Sequence, residues 1–132
     1  MDGFETPSNI DLRYAEKKVV FTISDCCTDK KYSFWNLNRE QAERFIKRLQ
    51  HFEKLEWRQW VGMDRAHGLT VENPTSESFA MIDNQNTCEN KLTEKYYFHF
   101  RIEGDGLFRV FGYQKAHYFC ITHIDASGRV HH

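Results

Sequence analysis

The sequence predicts an α+β domain: an antiparallel sheet with one long amphipathic helix and a short helix packed on one face. Three observations predict it. Residues 96–125 hold three runs rich in aromatic and β-branched residues, separated by two short turns. Residues 39–52 repeat apolar side chains at the spacing of one helical face. Two apolar runs with strand character precede that helix, so the order is strands, helices and then mainly strands.

All 132 residues belong to one domain, in which residues 1–9, with Gly3, Pro7, Ser8 and Asn9, read as a mobile N-terminal arm. Residues 18–24 (KVVFTIS) form a β-branched run, residues 25–31 a polar turn, and residues 32–37 (YSFWNL) a second apolar run. Together they read as a first hairpin with a long connection.

Asn38 is placed to cap the helix, with Gln41 completing a capping box. Ala42, Phe45, Ile46, Leu49 and Phe52 make the apolar stripe. Arg44, Lys47, Arg48 and Lys54 lie mostly off it, as a solvated surface or as a basic face for phosphate. Residues 55–63 continue the helix with a bend or start a second one, burying Trp57, Trp60 and Val61, and helix should fade near Gly68. Residues 69–72 are a short strand, 73–78 a loop around Pro74, 79–83 a brief strand, and 84–94 a long polar loop.

In the meander, Phe98, Phe100 and Ile102 define one side, and His99, Arg101 and Glu103 the other. Asp105-Gly106 supplies the first turn, since glycine accepts the positive φ that tight hairpins need. The second turn falls near Lys115. Between them Phe108, Val110 and Phe111 surround Arg109, and Gly112 interrupts the strand.

The formal net charge of -1 favours no global attraction to nucleic acid, so an anionic partner would have to meet a local basic patch. No run approaches the roughly 20 apolar residues of a membrane span, and the first residues lack a signal-peptide core. A soluble, cytoplasmic protein without a membrane partner is expected. Of the four cysteines, Cys26 and Cys27 are adjacent, while Cys88 and Cys120 are solitary. Zinc ligands usually come in closely spaced pairs, so no metal is expected, and reduced thiols are. Cys120, between Phe119 and Ile121, reads as a small buried hydrophobe.

No cofactor is expected either. Gly104 and Gly106 lie in a hairpin rather than a phosphate loop, and no GxSxG or HExxH occurs. What remains is a set of basic and aromatic residues on the meander. Metal-independent RNA cleavage needs a base, an acid and cations around the phosphorane, roles that His, Tyr, Lys and Arg fill. Arg109 either pairs with Glu103 or Asp105 across the hairpin or contacts phosphate. His99, His117 and His123 are individually ordinary, and only their convergence on Arg109 would be informative.

Residues 101–125, RIEGDGLFRVFGYQKAHYFCITHID, resemble the C-terminal sheet of the RelE/HigB-like toxin superfamily. In that family a strand of the form x-R-[LVI]-x-[YF] follows two helices, and Leu107 to Tyr113 looks like it. The resemblance implies a small ribonuclease, with RNA or the ribosome as target and a small antitoxin as partner. It implies Arg109, His123 and Tyr113 as catalytic residues, and Arg101, Arg109 and Lys115 as RNA contacts. The alternative from a different class is a non-catalytic protein-interaction module built on a similar sheet.

Overall fold

The alternation of residues 96–125 becomes three antiparallel strands in the computed structural model, which describes residues 10–64, 66–103 and 106–128. In chain order the elements are β1 (Val20–Thr22), α1 (Arg39–Phe52), α2 (Trp57–Val61), β2 (Thr70–Glu72), α3 (Glu77–Gln85), β3 (Tyr97–Arg101), β4 (Arg109–Lys115) and β5 (Tyr118–Asp125). They make one sheet in the order β1-β5-β4-β3-β2. Every pairing is antiparallel except that of β1, which runs parallel to β5. The α+β architecture is thus the one expected. The proposed arm, Asp105 and Gly104 fall outside the described residues.

α1 starts where the sequence places it. The Asn38 side chain accepts from the Gln41 amide at 2.8 Å, and Gln41 returns a bond to the Asn38 amide at 3.0 Å. Its stripe packs Phe45 and Phe52 into a core with Trp57, Trp60, Phe98, Phe100, Val110 and Phe119. Ile46, expected in that stripe, is 44% exposed. It sits one residue, about 100° of helical turn, past Phe45, on the flank of a narrower face. α2 is fastened across the sheet end by Trp57, whose indole donates to the His117 carbonyl at 2.8 Å.

Two apolar runs depart from the expected strands. Residues 32–37 form no hairpin with β1. The Tyr32 carbonyl accepts from Ile124 at 2.9 Å, and the chain then turns through a 3-10 segment at Phe34–Asn36 that leads into α1. Residues 79–83 belong to α3 rather than to a strand. Phe79 and Ile82 are three positions apart and pack together on the opposite face of the sheet, where Phe79 meets Phe111.

β5 contains the irregularity that matters most. Phe111 pairs with His123 but Gly112 with Ile121, which leaves Thr122 as an extra residue. The bulge turns His123 away from the α1 core and toward the α3 side, where its ring meets Tyr32 and Tyr97. On the other side of the sheet the Phe119 ring passes over Gly112 so closely that a Cβ there would lie 2.5 Å from its edge.

The cysteines also depart from expectation. Cys27 and Cys88 form a disulfide, with Cα atoms 5.2 Å apart, because the fold packs the 25–29 and 86–90 segments against each other. Cys26 and Cys120 are free, and Cys120 is buried as the sequence indicates.

Candidate functional site

Strand alternation builds the site. Phe100 and Val110 face α1 and α2, so Arg101 and Arg109 emerge on the opposite face, and the ladder sets them directly across from one another. Asp125 stands opposite Arg109 on its other side. Antiparallel partners have Cα atoms roughly 4.5–5.5 Å apart, so two cations and a carboxylate share one row. The next row holds His99, Phe111 and His123. From the edge strand β2, Glu72 meets the His99 ring at 2.6 Å from Nδ1.

Arg109 is half-buried, and its Nε and Nη1 are buried without a hydrogen-bond partner. Burial, then the neighbouring Arg101, holds its guanidinium below the ordinary value, while Asp125 and Glu72 oppose the shift. It remains a cation at any physiological pH. Glu103 instead pairs with Arg44 of α1, so it does not serve Arg109 as a hairpin partner.

The remaining sequence-predicted residues lie elsewhere. Tyr113 is four residues along β4 from Arg109, roughly 13 Å at strand rise, and its hydroxyl donates to Asp25. Burial, with that carboxylate second, holds the Tyr113 hydroxyl well above its ordinary value. Lys115 is exposed at the far end of β4, roughly 20 Å from Arg109. His123 is fully buried, with Nδ1 2.9 Å from the Thr122 hydroxyl, and burial pushes its imidazole down to about 4. The fold therefore brings Arg101 and Arg109 together, seals His123 in the interior in the row beside them, and keeps Tyr113 and Lys115 away.

No protein-family model, curated protein or solved structure matches the chain.

Sequence reasoning passed over the Glu72–His99 pair and Asp125. Alternation does put His99 on the side of Arg101, a visible signal, but Glu72 reaches it only through the β2–β3 register, which no local pattern encodes. The potential metal ligands among the described residues are Cys27, Cys88 and His123, whose donor atoms all lie within 4.8 Å of one another. No helix among the described residues is long and apolar enough to cross a membrane.

Proposed function

We propose that this chain recognises the phosphate backbone of RNA through Arg101 and Arg109, in the manner of a RelE-like toxin or ribonuclease. The observation that carries the reading is the unspent donor capacity of Arg109, a half-buried cation held beside a second arginine. Asp125 balances Arg109 from one side only, and a guanidinium binds phosphate oxygens in a planar fork. For cleavage, the base is His99, one row away and oriented by Glu72; it too is buried, with 5% of its surface exposed against none for His123.

The test is binding of single-stranded RNA at low salt, where phosphate contacts are strongest. Arg109→Ala, folded by circular dichroism, is expected to weaken binding about tenfold, and to reduce the dependence on salt by about one phosphate contact. Cleavage products are expected from the wild type and not from His99→Gln. Folded wild type that binds no RNA at low salt overturns the reading. Binding without cleavage retains recognition and removes catalysis.

A second reading has its own observation. Trp35 is 79% exposed beside the partly exposed Phe34, an apolar projection suited to a protein partner. An unaltered RNA affinity in Arg109→Ala would shift the function to that surface.

A further inference from the structure

The second cluster lies on the α3 side of the sheet and begins at His123, in the row next to the arginines. We propose that, once its disulfide is reduced, the protein holds one zinc ion between the sulfurs of Cys27 and Cys88 and a ring nitrogen of His123, with water as fourth ligand. This goes beyond RNA recognition and does not depend on it.

Three features make the cluster a built site. The first is the histidine. The Thr122 hydroxyl donates to the Phe111 carbonyl at 3.4 Å, which leaves its oxygen to accept from Nδ1 of His123 at 2.9 Å. With the proton on Nδ1 the lone pair is left on the buried Nε2, and zinc there would replace the ring's contact with the Asn90 backbone. A metal-binding histidine is typically oriented in this way, by an oxygen at its other nitrogen.

The second feature is that the cysteine segments are tied without the disulfide. The Cys27 amide donates to the Thr122 carbonyl at 2.7 Å, beside His123. The Asp29 carboxylate accepts from the Thr87 amide and hydroxyl, each at 3.2 Å, and Asn90 donates to the Asp25 carbonyl at 3.0 Å. These bonds survive reduction and keep both sulfurs near the imidazole. The Asp29 amide already donates to the Cys27 sulfur at 3.3 Å, a contact that favours thiolate.

The third feature is charge. Two thiolates, one neutral imidazole and Zn2+ sum to zero, which suits a site where all three side chains are buried. Three protein ligands leave a fourth tetrahedral position for water. Zinc–sulfur bonds near 2.3 Å place the sulfurs about 3.8 Å apart, a separation that side-chain rotation supplies after reduction.

A dithiol breaks the Cys27–Cys88 bond, becomes a disulfide itself and leaves two thiols. Zinc then displaces both thiol protons to solvent. Cys26 takes no part, because it packs toward the α1 core.

The experiment reduces the protein with a phosphine, removes it and titrates Zn2+ against a chromophoric chelator. One zinc per chain is expected in the reduced form and none in the oxidised form. His123→Gln and Cys88→Ser should each bind roughly 100-fold more weakly or worse, by loss of one ligand. Cys26→Ser should bind as the wild type does. Cobalt in place of zinc should give thiolate charge-transfer absorption that weakens in Cys88→Ser. If reduction unfolds the chain, one equivalent of zinc should refold it. The proposal is overturned if the reduced protein takes up no zinc and is not refolded by it. Equal affinity in Cys88→Ser, or loss in Cys26→Ser, overturns it too.

Discussion

Arg109 faces Arg101 across the β3–β4 ladder, and Asp125 faces Arg109 from β5. A cation flanked by one like and one opposite charge, with buried donors unmatched, is a locally unsatisfied arrangement. The proposed phosphate contact can be tested there with a small anion, without knowing the natural ligand.

Inorganic phosphate is therefore expected to stabilise the fold. At a concentration five times its Kd the gain is about 1 kcal/mol, or about 4 °C in Tm for a domain of this size. Arg109→Ala should lose that response while keeping the response to neutral osmolytes. Equal phosphate shifts in the two proteins would remove the anion site.

Neighbours in α1 should differ sharply. Phe45 is buried in the core and contacts Phe34, whereas Ile46 is largely exposed. Phe45→Ala should cost about 3–5 kcal/mol in urea unfolding, and Ile46→Ala less than about 1 kcal/mol. Similar losses would mean that the helix is rotated from the described packing.

Gly112→Ala should destabilise by about 1–3 kcal/mol or more, since the added carbon would meet the Cys120 carbonyl oxygen at 2.3 Å and the Phe119 ring at 2.5 Å. Pairing it with Phe119→Leu should recover part of the loss relative to the sum of the single changes. Full additivity would show that the ring is not the obstacle.

His123 makes stability depend on pH. Burial pushes its imidazole from 6.5 down to about 4, so between those values the unfolded chain binds the proton and the folded one does not. The stabilisation is complete above about pH 7 and is lost as pH falls toward 4, by about 3 kcal/mol over the interval. His123→Gln should flatten that part of the profile in urea melts. An unchanged slope in the variant would assign the acid sensitivity to other groups.

The meander, the cap of α1 and the placement of Arg101 beside His99 were legible because they follow from alternation, helical spacing and local turn chemistry. Phe79 and Ile82 were not, since a short apolar run fits a strand or a helix equally and only packing on Phe111 decides. The same holds for residues 32–37, where the chain must turn into α1. His123 illustrates a subtler limit. Counting by twos from Phe119 and Ile121 puts it in the α1 core, and the single extra residue at Thr122 sends it to the other face. The disulfide joins residues separated by 61 positions, so spacing rules for neighbouring ligands could not find it.

The parallel pairing of β1 with β5 carries a consequence for synthesis of the protein on the ribosome. β1 has β5 as its sheet neighbour, and β5 is the last of the described strands in chain order. At roughly 5–20 residues per second, residues near 20 wait on the order of 5–20 s before residues near 120 emerge. During that interval Phe21 lacks Phe119 and the sheet edge that shelters it. The β1–β5 pairing is thus held back until translation has passed this region, and until then Phe21 has only Trp60 and Phe100 among its ring partners to pack on.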